Sequence, residues 1–144
     1  MEKTKISINE VKDAMKKIIK QIDISRFNPD IIISINRGGC IPGVYLSHFL
    51  NKPHKMIDIK SIDNFEISID NRKKIKSALI IDDINDSGKT FTIVKKIFNI
   101  HNIDNRYAAL INNISSKAKI DYYGKIVNKK TNLVWYVFPW ENWW

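Results

Sequence analysis

The chain has 144 residues, 44% of them hydrophobic and 27% charged. That balance is too apolar for a disordered chain, and the length suits one domain over residues 1–144, not a two-domain enzyme. The 24 Lys plus Arg against 15 Asp plus Glu give a net charge of +9, which suits solvation, a polyphosphate ligand or nucleic acid, and does not choose among them. A single cysteine, Cys40, excludes an internal disulfide framework and a Cys-rich zinc module, and suits a reducing cytoplasm. No apolar run approaches the ~20 residues that span a bilayer, and the start, Met1 to Lys5, is no apolar signal core, so no membrane partner is expected.

Ser7-Ile8-Asn9-Glu10 has the form of a capping box, and Val11, Met15, Ile19 and Ile22 follow at helical spacing, predicting a helix over 8–21. After the turn at Asn28-Pro29-Asp30, Ile31 to Ile35 is a β-branched run suited to a strand covered on both faces. Arg37-Gly38-Gly39 follows it. Pro42 can open a second helix, with Val44, Leu46, Phe49 and Leu50 as its apolar face. Lys55 to Ile59 reads as a strand, and Phe65 to Ile69 as a short strand of a hairpin or flap. Ala78 to Ile81 is a second buried strand, ending in Asp82-Asp83. A helix begins near Thr90 with Ile93, Val94, Ile97 and Phe98 as its stripe. Tyr107 to Ile111 and Leu133 to Phe138 complete the strands. Strand, loop and helix in repetition predict an α/β fold with a parallel-sheet core flanked by helices.

Ligands of an open parallel sheet gather at the carboxyl ends of its strands. Two loops there carry suitable chemistry. In the stretch from Asp82 to Thr90, Gly88 and the small hydroxyl residues Ser87 and Thr90 can direct backbone N–H groups and hydroxyls at an anion, beside a helix N-terminus. Asp82, Asp83 and Asp86 would repel a bare phosphate. They make sense for a ligand that also carries hydroxyls or a hard cation such as Mg²⁺. Gly88-Lys89-Thr90 is not an NTPase P-loop, because position 83 is Asp where that motif needs glycine.

The stretch Ala78-Leu79-Ile80-Ile81-Asp82-Asp83-Ile84-Asn85-Asp86-Ser87-Gly88-Lys89-Thr90 resembles the fingerprint with which type I phosphoribosyltransferases bind phosphoribosyl pyrophosphate (PRPP). The structural alternative is a strand whose terminal acids cap a helix. Ser34 to Gly43 is similar to the pyrophosphate loop of the short xanthine-guanine and hypoxanthine branch, in which the peptide before the Arg-Gly pair can be cis. Trp135 to Glu141 is similar to the C-terminal segment of the short purine enzymes, although an aromatic core strand uses the same residue types.

This resemblance implies a fold with a small hood built from the terminal segments. It also implies transfer of a 5-phosphoribosyl group from PRPP to a purine base in purine salvage, with release of pyrophosphate and with Mg²⁺ as cofactor. Arg37 and Gly38 would serve the pyrophosphate. The segment Asp86, Ser87, Gly88, Lys89 and Thr90 would hold the 5-phosphate. Asp82 and Asp83 would face the ribose hydroxyls, and Asp83 would also meet the metal. Asp86 would be the catalytic acid beside the base, its alternative being a turn residue that bonds its own backbone. Trp135 would stack on the base and the backbone of Tyr136 would read its edge. A homodimer or homotetramer is implied, with no nucleic acid as partner.

Two positions depart from the family pattern. Asn113 stands where the purine enzymes carry a lysine that contacts the exocyclic oxygen; an amide can still donate there but brings no charge. Asn85 is more polar than the residue expected at its place. Two rival functions follow: a PRPP-sensing regulator that binds nucleic acid, which the charge permits, and an enzyme acting on a pyrimidine or modified base, which Asn113 permits. His48, His54 and His101 lack metal-ligand spacing and read as satisfied or solvated, and Cys40 as a packing residue and not a nucleophile. Trp143 and Trp144 are unexplained by the pattern, and packing at a subunit interface is the role they would suit.

Overall fold

The computed structural model describes residues 1–64 and 74–141, so the strand expected over 65–69 and the pair Trp143 and Trp144 lie outside the described residues. In chain order the elements are β1 (Glu2–Lys5), α1 (Ile8–Ser25), β2 (Ile31–Ile35), α2 (Cys40–Leu50), β3 (His54–Ile57), a 3₁₀ segment (Ile59–Asn64), β4 (Ser77–Asn85), α3 (Lys89–Ile100), β5 (Asp104–Asn113), β6 (Tyr122–Val127) and β7 (Val134–Val137).

The central sheet has the order β3-β2-β4-β5-β6, and every pairing in it is parallel. Its strands alternate between two cores, as the two-residue period of a strand requires. Ile32, Leu79, Ile81, Ala108 and Leu110 face one side, under Val11, Met15, Ile18 and Ile22 of α1 and Leu46 of α2. Ile31, Ile33, Ala78, Ile80, Tyr107 and Ala109 face the other, under Phe91, Val94 and Phe98 of α3. A sheet covered on both faces is what the isoleucine runs predict.

The capping box forms: the Ser7 backbone N–H donates to Glu10 Oε2 at 2.8 Å, and the Glu10 N–H donates to Ser7 Oγ at 3.1 Å. The helix it starts runs on to Ser25, past residue 21, because no breaker intervenes before Arg26 takes the left-handed cap conformation (φ 57°). Two helical faces differ from expectation. In α2 only Leu46 of the expected apolar face is buried; Val44 and Phe49 are 43% and 62% exposed. In α3 Phe91 joins Val94 and Phe98 inside while Ile93 points outward, so the buried stripe is turned toward Phe91.

Four strands depart from the sequence reading. The tail strand does not enter the central sheet: β7 pairs in parallel with β1, which hydropathy did not mark, and together they form a separate two-stranded sheet from both ends of the chain. This is the small hood. The edge strand β6 is also unmarked by pattern, because Gly124 interrupts it. A side chain at Gly124 would overlap Ala14, so glycine there lets α1 lie directly on the sheet. Finally, β4 does not stop at Asp83. It continues to Asn85, where Ile84 and Asn85 pair with Ile111 and Asn112 of β5. Among the described residues no helix is long and apolar enough to cross a membrane.

Candidate active site

The chain leaves β2 for β3 on one side and returns to β4 on the other, so the strand order reverses between β2 and β4. Loops diverging at such a point open a crevice at the carboxyl ends of the two strands. The loops that leave here are Asn36 to Gly39 and Asp86 to Gly88. Register sharpens the crevice. β2 pairs with β4 only as far as Ser34 opposite Ile81, so Asp82 and Asp83 extend beyond the neighbouring strand and face its loop.

Glycine makes that approach close. A methyl group at Gly38 would overlap the Asp83 carboxylate, and one at Gly39 would overlap the Ile81 carbonyl oxygen. Arg37 is exposed at the mouth, preceded by a cis Asn36–Arg37 peptide bond. The Arg37 carbonyl accepts from the Cys40 N–H at 3.1 Å as α2 begins.

The acids are electrostatically crowded. Burial, and next the charge of Asp83, hold the Asp82 carboxyl well above the usual carboxylate range. Asp83 is pushed up to about 6 by burial and then by the charge of Glu141, with Asp82 and the Ile84 N–H opposing the rise; the Trp140 indole N–H is buried and makes no hydrogen bond among the described residues. The Asp83 N–H donates to Asp82 Oδ1 at 2.9 Å. Glu141 is held by its own turn, where Oε1 accepts from the Phe138 N–H at 2.9 Å. Three carboxylates drawn together in this way match a ligand that brings hydroxyl donors. Among the described residues no group of three or more His, Cys, Asp or Glu side chains is placed to hold a metal ion, so Asp82 and Asp83 could offer Mg²⁺ at most two carboxylates beside ligands from substrate and water.

The second loop is an anion cradle in shape. Gly88 caps α3 with φ 87°, a left-handed conformation that disfavours side chains, and a Cβ there would lie 2.5 Å from the Ala118 backbone nitrogen. No side chain caps α3, so its first-turn amides beyond Lys89 are left for solvent or a ligand. The Lys89 N–H meets Ser87 Oγ at 3.3 Å, and the Lys117 N–H donates to the Ser87 carbonyl at 3.1 Å. Ser87 and Lys89 are exposed and Thr90 is partly so.

Beyond the cradle stands a polar cluster. Asp86 is half exposed, and its Oδ2 accepts from Lys129 Nζ at 2.9 Å. Asn113 is buried, and its amide is heavily engaged: Nδ2 donates to the Asp86 carbonyl at 2.9 Å, while Oδ1 accepts from Ser115 N–H, Ser115 Oγ and Lys129 N–H. Asn85, the other departure from pattern, is a buried brace. It donates to Asn112 Oδ1 and the Ala118 carbonyl and accepts from Ser116 Oγ, tying the end of β4 to the segment packed against Gly88.

The tail divides between two roles. Phe138 is buried and stacks on Trp140 with ring centroids 5.1 Å apart, so it is core. Trp135 is 50% exposed and outside both cores. Tyr136 is partly buried, with Lys125 Nζ 5.7 Å from its ring centroid. Neither makes a hydrogen bond to the Asp86 cluster among the described residues.

Sequence reasoning missed Lys129, Glu141 and the Ser116–Ala118 brace. Lys129 carries no signal in a lysine-rich chain, and the others matter only through distant backbone. The histidines behave as expected: His54 Nε2 and Ser34 Oγ share a hydrogen bond at 2.6 Å, and His48 and His101 are exposed. Cys40 Sγ contacts Asn36 Oδ1 and Met56 Sδ, and burial, then Asp82, push its thiol up, away from nucleophile character.

Residues 2–142 match the family model of the phosphoribosyl transferase domain, and the chain belongs to that family of enzymes. Among solved structures it is similar to the purine phosphoribosyltransferase of Pyrococcus horikoshii Ot3, at 31% identity and TM-score 0.78, covering 99% of this chain and 96% of that one. It also shares its fold with the Helicobacter pylori xanthine-guanine-hypoxanthine phosphoribosyltransferase (23% identity, TM-score 0.75, 95% and 90% covered). A hypothetical protein from Neisseria gonorrhoeae with bound ppGpp is alike in fold as well (21% identity, TM-score 0.78, 99% and 92% covered). A search of curated protein sequences gives no match.

Proposed function

We propose that this enzyme transfers the 5-phosphoribosyl group of PRPP to a purine base, with guanine, xanthine and hypoxanthine as the candidates, in salvage of the base. The observation that carries the reading is the convergence at one crevice of a glycine loop, a pair of crowded acids and an uncapped helix start. Those are the partners that a pyrophosphate, a ribose diol and a 5-phosphate need.

In the reaction the bond from ribose C1 to pyrophosphate breaks and a bond from C1 to a ring nitrogen of the base forms. Arg37 and the backbone N–H groups around Gly38 take the charge that develops on pyrophosphate. The amides at the start of α3, with Ser87, Lys89 and Thr90, hold the 5-phosphate. Asp82 and Asp83 accept hydrogen bonds from the ribose hydroxyls and orient C1. Mg²⁺, when bound at Asp83 with the substrate, supplies further neutralisation of the leaving group. Asp86 takes the proton that the base loses on alkylation. Trp135 offers a face for stacking and the Tyr136 backbone its edge contacts.

A second copy of the chain fits the exposed apolar side chains Ile41, Tyr45 and Phe49, which line a groove of about 900 Å³ between α1, α2 and Trp140, in keeping with a homodimer or homotetramer. The cytoplasm is the compartment proposed. The deciding experiment is a pyrophosphate-release assay with PRPP, Mg²⁺ and a panel of bases. Release with a 6-oxopurine is the expected result. Binding of PRPP with no release across the panel would overturn the reading in favour of a regulator.

A further inference from the structure

The inference concerns the Asp86 cluster and rests on the purine reading above. Asp86 is not an isolated acid. Lys129 reaches it from the loop between β6 and β7, and the lysine side chain is only 10% exposed while that of Asp86 is 47% exposed. An ammonium so covered is costly unless its hydrogens are used. One hydrogen goes to Asp86 Oδ2, and among the described residues no acceptor takes the other two.

The pair is also fixed from behind. The Asn113 side chain donates to the Asp86 carbonyl at 2.9 Å and accepts from the Lys129 backbone N–H at 3.0 Å. Its Oδ1 is further occupied by the Ser115 N–H and hydroxyl. One buried amide thus sets both members of the ion pair and has a single hydrogen left for anything else. Its chemistry is positioning.

The result is an acceptor and a donor side by side, 2.9 Å apart, with the acceptor open to solvent. The ligand edge that complements it carries a donor N–H next to an acceptor oxygen at similar spacing. A 6-oxopurine presents that edge at its N7 and O6. A 6-aminopurine sets an amine donor against the ammonium. We propose that Lys129 is the specificity-determining residue of the base site, selecting a base whose exocyclic group beside the Asp86-facing nitrogen is a carbonyl, with Asn113 as the positioning residue for both Lys129 and Asp86.

The test compares wild type, Lys129→Met, Lys129→Arg and Asn113→Ala with PRPP and Mg²⁺, using hypoxanthine and adenine as bases and calorimetry for PRPP. Losing a charged donor predicts that Lys129→Met lowers kcat/KM for hypoxanthine about 10- to 100-fold, so that preference over adenine falls, with PRPP affinity within about threefold of wild type. Lys129→Arg recovers most of the preference. Asn113→Ala, where it folds, lowers preference and turnover together. A Lys129→Met enzyme with wild-type preference overturns the inference while leaving the purine reading intact. Equal loss of PRPP binding in Lys129→Met overturns it too, by making Lys129 merely structural. A wild type that uses no purine and binds no purine nucleotide overturns both.

Discussion

Replacing Asp83 with Asn removes a charge that the folded protein resists. Asp83 titrates at about 6 in the fold against 3.8 for the free side chain, because burial and then the Glu141 charge disfavour its ionised form. The folded state therefore holds more protons than the unfolded state between about pH 4 and pH 6, and stability falls as pH rises through that window. Above it, a shift of about 2 pH units amounts to an upper bound of about 3 kcal/mol. Residual solvent access and the coupling to Asp82 bring the expected gain for Asp83→Asn at pH 7.5 to about 1–3 kcal/mol, or about 3–10 °C in Tm for a chain of this size. At pH 4.5 the gain shrinks to about a third, since the wild-type carboxyl is then mostly protonated in the fold. The assay is thermal or urea unfolding of both proteins at the two pH values, without ligand and then with Mg²⁺ and PRPP. Ligand should reverse the order, because wild type gains binding energy through Asp83 that the variant lacks. A variant no more stable than wild type at pH 7.5, or one whose advantage does not change with pH, refutes the account of the crowded acids.

Three further outcomes follow from the same geometry. Asp86→Asn should keep PRPP affinity, by calorimetry, and lower turnover by about 10²–10⁴, the usual worth of a general base; near wild-type turnover removes Asp86 from proton transfer. Gly88→Ala places a side chain at φ 87° and against the Ala118 backbone, so it should cost about 1–3 kcal/mol of stability in urea titrations and weaken ribose 5-phosphate binding; an unchanged Kd would separate this turn from the phosphate. Trp135→Ala should raise KM for the base by about 5- to 100-fold, as the loss of one stacking face does, with little change in stability since the ring is half exposed; a large fall in Tm instead would return Trp135 to the core.

Local chemistry was enough for much of the scaffold. The isoleucine runs over 31–35 and 78–81 could only be strands buried on both faces, the Ser7–Glu10 pair could only begin a helix, and Gly88 between acids and a helix start could only turn sharply. These features depend on residues close in sequence, so pattern displays them. The outward faces of Val44, Phe49 and Ile93 were not legible, because hydropathy cannot tell a covered apolar face from an uncovered one. The strands β1 and β6 were not legible either. One is short and polar and exists through its pairing with the tail, and the other is broken by Gly124 for the sake of α1.

The candidate site divides in the same way. The turn at Gly88, the paired acids and the arginine–glycine loop were determined by the sequence itself, since each is a contiguous piece whose residue types limit which chemistry it can offer. Only the tertiary structure decided that Gly38 lies against Asp83, that Glu141 returns from the far end of the chain to crowd that acid, and that Lys129 pairs with Asp86 across 43 residues. Such pairings come from the reversal of strand order between β2 and β4 and from the path of the tail. Charge and hydrogen bonding act over a few ångströms of space, and the chain sets those distances only by folding.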